Sequence, residues 1–186
     1  NATGGGSTLG VPNTAIVYIS DAAPEPPGST LFDYDGDGRS DLSVRRPCDD
    51  TWYLLRGTAG YTAQQFGIAG DRIAPADYDG DGITDVAVFR PSTGTWFIFM
   101  SQTQTFQQFG WGADGDLPVP SDRDGDGNAD LVVFRPSNNT WYTRLASTGA
   151  LSAFQFGAAG DKPVVGDFDG DGDVDADDAG SSDTTL

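Results

Sequence analysis

The sequence predicts an all-β protein built from tandem repeats of short antiparallel strands, and three observations predict it. First, an aspartate-rich string of nine residues begins at residues 33, 77, 122 and 167, so the copies lie 44 or 45 residues apart. Second, the first three copies are followed by segments rich in β-branched and aromatic residues, which favour strands. Third, no segment combines helical periodicity with caps. A fixed period of this length is typical of repeat architectures such as propeller blades.

The four strings share one pattern. They read DYDGDGRSD, DYDGDGITD, DRDGDGNAD and DFDGDGDVD, with aspartate at positions 1, 3, 5 and 9 and glycine at positions 4 and 6. Alternating carboxylates on a curved loop converge on one point, and a glycine at position 6 permits the sharp turn. Hard oxygen ligands in six- or sevenfold supply favour Ca²⁺ over Mg²⁺. The strings therefore predict about one Ca²⁺ per aspartate loop, up to four in the chain.

The predicted ligands are the carboxylates at positions 1, 3, 5 and 9 and the carbonyl at position 7 of each string. They are Asp33, Asp35, Asp37, Arg39 and Asp41; Asp77, Asp79, Asp81, Ile83 and Asp85; Asp122, Asp124, Asp126, Asn128 and Asp130; and Asp167, Asp169, Asp171, Asp173 and Asp175. In the fourth string, position 12 is Asp178, where an EF-hand loop has its bidentate carboxylate, so Asp178 is a further candidate. The alternative interpretation is that the strings are four solvated acidic turns. The recurrence of four strings in register favours calcium loops over that alternative.

The strands follow each string in the same order. DLSVRRP, DVAVFRP and DLVVFRP come first, then TWYLLR, TWFIFM and TWYTRL, and then a QFG motif at residues 65, 108 and 155. We expect the tryptophans at 52, 96 and 141 to pack in the core and the arginines at 46, 90 and 135 to have structural roles, tied to loop carboxylates or carbonyls. Trp111 lies outside this register, and we expect it to be an exposed contact residue.

The chain divides into three parts by composition and repeat. Residues 1–30 form an N-terminal segment with a predicted strand at 14–20 and a Pro-rich linker. Residues 31–178 form the repeat domain, and 179–186 a tail. The repeats span about 33–76, 77–121 and 122–166, with a partial fourth at 167–178 that lacks the strands following the other strings. Three full repeats and a partial one leave the array open at both ends.

Composition excludes several classes of function. The chain has 28 acidic and 10 basic residues, for a net charge of −18, and phosphate contacts need lysine and arginine, so nucleic acid is excluded as a partner. It has no histidine and only one cysteine, Cys48, which argues against zinc or haem sites and an internal disulfide.

No apolar run approaches the roughly 20 residues of a membrane span. Without histidine or a nucleophile motif, we expect no enzyme. The missing initial methionine indicates a processed, secreted protein.

The unit D-x-D-G-D-G-x-x-D-[LV]-x-V-F-R-P resembles the FG-GAP/VCBS-type repeats of integrin α-chain propellers and many secreted bacterial proteins, over roughly residues 30–178. The resemblance implies propeller blades with calcium loops, an extracellular or cell-surface location, and roles in adhesion, binding or scaffolding. The last string also resembles a dockerin or EF-hand loop. Some relatives are lectins, so an adhesion or carbohydrate-binding module with a glycan or protein ligand is the alternative to a structural role.

Three arrangements would pair the open strand edges at the two ends of the array. The chain is a fragment of a longer propeller, or it closes on itself with the strand at 14–20 completing the last blade, or that strand adds to a neighbouring copy. The last arrangement is favoured slightly, because each end lacks what the other supplies. It predicts a secreted, calcium-stabilised protein that self-associates into a filament or surface scaffold.

Two further features concern modification. NAT at Asn1 and NNT at Asn138 match the acceptor pattern for N-glycosylation, which is short and commonly unused. Cys48 is either a free thiol or part of an intermolecular disulfide.

Overall fold

A computed structural model describes residues 30–164 of the chain. The predicted strand at 14–20, the acceptor site at Asn1, the fourth aspartate string and Asp178 lie outside the described residues. Within them the fold is all-β as predicted, with three antiparallel sheets and a single 3₁₀ turn at Pro91–Thr93. No helix in this part of the chain is long and apolar enough to cross a membrane.

The three sheets are successive copies of one unit. The first contains β1 (Leu42–Arg46), β2 (Thr51–Arg56) and β3 (Gly60–Gln65). The second contains β4 (Arg72–Ile73), β5 (Val86–Arg90), β6 (Thr95–Phe99) and β7 (Phe106–Gly110). The third contains β8 (Leu117–Pro118), β9 (Leu131–Arg135), β10 (Thr140–Arg144) and β11 (Leu151–Gln155). Neighbouring strands pair in chain order, as in a propeller blade.

In the second and third sheets, the aspartate string joins the first strand to the second. The two-residue strands β4 and β8 precede the strings at 77 and 122, and they pair with β5 and β9 just after them. Within residues 30–164 the first sheet has three strands, and β1 pairs with β2 alone. A structural unit therefore begins about five residues before its string.

The core lies between the sheets. Val86 and Val88 of β5 pack against Trp52 and Leu54 of the first sheet. At the next junction, Leu131 and Val133 of β9 pack in the same way against Trp96 and Ile98 of the second sheet, and a third cluster surrounds Trp141. All three repeat tryptophans are buried, which confirms the prediction that they are core residues. Each sheet thus covers the apolar face of the one before it.

The QFG motif of the second repeat is not in structural register with its siblings. Thr51, Thr95 and Thr140 pair with Gln65, Gly110 and Gln155, so the residues that follow these partners are equivalent. They are Phe66, Trp111 and Phe156, and each is followed by a glycine with positive φ. The prediction that Trp111 lies outside the register and is exposed is therefore wrong. It is half-buried against the core, and its carbonyl accepts a 2.9 Å hydrogen bond from the Trp96 indole.

Candidate metal centres in the aspartate loops

The described aspartate strings each bring three carboxylates together, with one oxygen from each lying within 4.8 Å of the others. The groups are Asp33, Asp35 and Asp37 in the first loop, Asp77, Asp79 and Asp85 in the second, and Asp122, Asp124 and Asp130 in the third. Positions 1 and 3 are common to all three groups, while the third member comes from position 5 in the first loop and from position 9 in the others. The structure thus groups three of the four predicted carboxylates of each loop.

The aspartate at position 1 organises the backbone of its own loop. In the second loop, Asp77 Oδ1 accepts the amide of Gly80 at 2.7 Å and Oδ2 accepts that of Gly82 at 2.8 Å. Equivalent bonds reach Asp33 and Asp122. The glycines at positions 4 and 6 have φ of +69° to +86° in these three loops, a region that other residues rarely adopt. The string therefore curls around its first carboxylate because glycine stands at those two positions.

The aspartate at position 9 ties the loop to the rest of its sheet. Asp85 Oδ2 accepts the amide of Tyr78 at 2.9 Å, while Oδ1 accepts the amide of Ser101 at 2.6 Å, in the turn after β6. Asp41 makes the same pair of bonds with Tyr34 and Gly57, and Asp130 with Arg123 and Ala146. This carboxylate is thus a structural bridge in every described unit, and in two of them it also belongs to the metal-binding group.

Three hydroxyl residues that the sequence analysis did not single out also contact the loops. Thr58 Oγ1 donates to Asp35 Oδ2 at 2.9 Å, Ser101 Oγ to Asp81 Oδ2 at 2.9 Å, and Ser147 Oγ to Asp124 Oδ2 at 2.6 Å. These residues stand 16 or 17 positions after the ninth aspartate of their string. That recurrence was visible in the sequence, but a lone Ser or Thr in a polar turn carries little signal.

Burial without a counterion raises the pKa of several loop carboxyls. Desolvation raises the pKa of Asp85 to about 7 and that of Asp130 to about 6. Burial, followed by repulsion from Asp81, also raises the pKa of Asp79 above its usual range. By contrast, hydrogen bonds led by the Ala59 amide lower the pKa of the half-buried Asp35. The second and third loops therefore hold negative charge in places where the protein alone does not neutralise it.

The residues fit a hard divalent cation. Both carboxylate oxygens of Asp79 are buried without a hydrogen-bond partner, as is one oxygen of Asp35. Unpaired buried carboxylate oxygens are costly, and a cation would satisfy them. The donors are all oxygens, which suit Ca²⁺ or Mg²⁺ and not a soft metal. The bound ion would neutralise the converged carboxylates and hold the loop closed.

The loops also contact one another along the array. The Thr84 amide in the second loop donates to the carbonyl of Asp33 in the first at 2.6 Å, and the Ala129 amide in the third donates to the carbonyl of Asp77 in the second at 2.6 Å. Backbone hydrogen bonds therefore connect the first loop to the second and the second to the third, so that order in one loop supports order in the next.

The repeat arginines have the predicted structural role in two units. Arg90 binds Asp71 through two bonds of 2.8 and 3.0 Å, and Arg135 binds Asp116 through two bonds of 2.7 and 2.8 Å. Arg46 instead approaches Asp49 at 3.6 Å, and both side chains are about half exposed. The bidentate pairs fix the turns before the second and third sheets to the ends of the second strands of those sheets.

A family model described as FG-GAP-like repeat matches residues 33–88 and 122–176, together more than half of the chain. The chain belongs to the FG-GAP-like repeat family. The matches start at the first and third aspartate strings, and the second includes the fourth string. FG-GAP-like repeats are structural and adhesion repeats, typical of extracellular proteins, and they often bind Ca²⁺. Searches of curated proteins and of solved structures found no match.

Proposed function

We propose that this protein is a secreted, calcium-stabilised structural module that self-associates into a filament or surface scaffold. One comparison carries the proposal: a face that is buried at both internal junctions is exposed at the first sheet. Val88 and Val133, which occupy equivalent places in β5 and β9, are fully buried, whereas Val44 in β1 is 65% exposed. Leu42 is likewise 73% exposed, although its equivalents Val86 and Leu131 are buried.

Within residues 30–164, the other end of the array is exposed in the same way. Phe66 of the first sheet lies 6.3 and 6.2 Å, between ring centroids, from Phe99 and Phe106 of the second sheet. Phe156 occupies the equivalent position after the third sheet and is 70% exposed. Soluble proteins rarely leave contiguous apolar surface uncovered unless it is an interaction site. Two unlike faces on one molecule favour head-to-tail contacts, which generate rings or filaments.

Calcium supports this role by fixing the loops that hold the sheets in line. Because each loop is hydrogen-bonded to the next, we expect cations to stiffen the whole array and to keep its end faces in a fixed geometry. We therefore expect self-association to require Ca²⁺.

Light scattering and electron microscopy test this proposal. In millimolar Ca²⁺ the protein should form rings or filaments that dissociate on addition of EDTA. Monodisperse monomers in millimolar Ca²⁺ would refute the assembly role.

A second candidate is binding of a carbohydrate or another polar ligand, as in an adhesion module. A groove of about 390 Å³ between the second and third sheets is lined by Trp111, Arg135 and Tyr142 together with Thr93 and three glycines. The Trp111 indole nitrogen is buried without a hydrogen-bond partner. Aromatic surface beside a charged donor suits a sugar ring. Titration of oligosaccharides against the intrinsic fluorescence of the parent and of Trp111→Phe tests this candidate.

A further inference from the structure

The first sheet exposes the edge to which its siblings add a strand. In the second sheet, Arg72 and Ile73 of β4 pair with Phe89 and Val88 of β5. In the third, Leu117 and Pro118 of β8 pair with Phe134 and Val133 of β9. In the described part of the chain, β1 has no such partner, and the residues equivalent to those of β5 and β9 are Arg45 and Val44. An unpaired edge of this kind accepts an added strand.

Residues 161–164 follow the same turn that leads into β4 and β8, and they are therefore the candidate for the added strand. Asp161 closes the same turn as Asp71 and Asp116: its carboxylate accepts the amide three residues earlier at 2.8 Å, as theirs do at 2.9 and 2.8 Å. Lys162 and Pro163 then occupy the places of the β4 and β8 residues. Asp161, Lys162 and Val164 are exposed. The segment is therefore in position to begin a further sheet.

Asp161 at one end and Arg46 at the other carry opposite charges. Asp71 and Asp116 each bind the arginine 19 residues later, but Gly180 stands 19 residues after Asp161. Arg46, in turn, has Pro27 where an aspartate would stand 19 residues before it. Arg46 lies 3.6 Å from Asp49, and both side chains are about half exposed. Within residues 30–164, neither end therefore has the bidentate aspartate–arginine pair of the second and third sheets.

The adjoining faces are complementary as well. The side chain of Val88 lies 3.3 Å from the position that a Cβ on Gly67 would occupy. Gly157, the equivalent of Gly67, lines an open groove of about 390 Å³ together with Trp141 and Phe156. At the first internal junction, the Val88 side chain fills the space next to Gly67. The groove is the equivalent space next to Gly157. Val44 is the residue of β1 equivalent to Val88, and it has a side chain of the same size.

We propose that residues 161–164 of one copy add to the β1 edge of a second copy, with Asp161 paired to Arg46 of that copy. This inference rests on the proposed self-association and names its contact. Lys162 and Pro163 pair with Arg45 and Val44 of the second copy, in the register of β4 on β5. The Val44 side chain enters the groove beside Trp141, and Phe156 contacts the stacked pair Tyr53–Tyr61, as Phe66 contacts the equivalent pair Phe97–Phe106.

Charge reversal tests the contact. Arg46→Asp and Asp161→Arg should each raise the dissociation constant for self-association in Ca²⁺ at least about tenfold, because each places like charges at the junction. The double variant Arg46→Asp/Asp161→Arg restores an opposite pair and should recover association. An equimolar mixture of the two single variants should recover it as well, since every junction between unlike copies is then matched. Asp114 is an exposed aspartate in the turn before β8. Asp114→Arg is the charge-matched control for Asp161→Arg and should associate like the parent.

The outcomes separate this contact from the alternatives. Loss in both single variants with recovery in the mixture supports the proposal. Recovery in the double variant but not in the mixture means that the segment closes on its own chain, and it overturns the proposal. Single variants that associate like the parent also overturn it, while self-association itself stands. A parent that remains monomeric in Ca²⁺ refutes the proposed function together with this contact.

Discussion

At the residue scale, the fold depends on carboxylates with two distinct tasks. Asp71 and Asp116, which close the turns before β4 and β8, bind arginine. The aspartates of the strings bind backbone amides and converge on one another. Sequence spacing predicted the convergent set, because four aspartates at fixed offsets are a strong signal. Sequence spacing did not identify which aspartates bind the arginines, because two residues 19 positions apart meet only through the alignment of the strands.

Loss of the carboxylate charge at Asp116 should destabilise the third sheet. Asp116→Asn leaves Arg135 without its bidentate partner at a position where the Asp116 side chain is fully buried, so we expect a loss of about 2 kcal/mol in the free energy of unfolding. Urea denaturation in Ca²⁺ at low protein concentration measures it. The exposed neighbour substitution Asp114→Asn should change the value by less than about 0.5 kcal/mol. Equal effects of the two substitutions would show that the pair contributes nothing.

Stability of the cation-free protein should rise as the pH falls from 8 to about 5. The pKa of Asp85 is raised to about 7 and that of Asp130 to about 6, so the folded state binds more protons than the unfolded state above the ordinary aspartate range. The free energy of unfolding therefore decreases with rising pH between about 4 and 7 and levels off above. Thermal unfolding in EDTA across this interval checks the direction. Flat or increasing stability from pH 5 to 8 would contradict the assigned burial of these carboxyls.

At the element scale, each described aspartate loop is hydrogen-bonded to the strands and turns of its own sheet, so that loop and sheet form one structural unit. The string encodes its own curvature through glycine, and its ninth residue reaches the turn after the third strand of the sheet. The sequence predicted the three longer strands of each unit from their β-branched and aromatic residues. It did not locate β4 or β8, because two residues cannot show a period. The register of Trp111 was also missed, because the QFG motif of the second repeat lies two positions earlier along its strand than in the other two repeats.

Removing one loop carboxylate should remove one bound cation. Asp79→Asn takes away a side chain with both oxygens buried and unpartnered, and we expect the variant to bind one Ca²⁺ fewer per chain than the parent. Isothermal titration calorimetry measures the stoichiometry, with Asp114→Asn as the matched change of charge outside the loops. An unchanged stoichiometry with parent-like affinities would show that the second loop does not hold a cation through Asp79.

At the scale of the whole molecule, the sheets form a row in which each unit covers its predecessor. The internal junctions repeat the same contacts, so they show what the two terminal faces would bind. The sequence predicted open ends from the missing strands of the partial repeat. The burial contrast between Val44 and Val88 could not be predicted, because equivalent residues in a repeat differ in exposure only through their neighbours.

Cations bound in the loops should hold these units together, so thermal unfolding should differ between Ca²⁺ and EDTA. At a Ca²⁺ concentration about 100 times the dissociation constant, each filled site adds about 2.7 kcal/mol, so three loops should raise the midpoint by more than about 10 °C relative to EDTA. Mg²⁺ at the same concentration should give a smaller rise, because it prefers a stricter octahedron and keeps its water. A midpoint that is the same in Ca²⁺ and in EDTA would show that cations do not hold the units together.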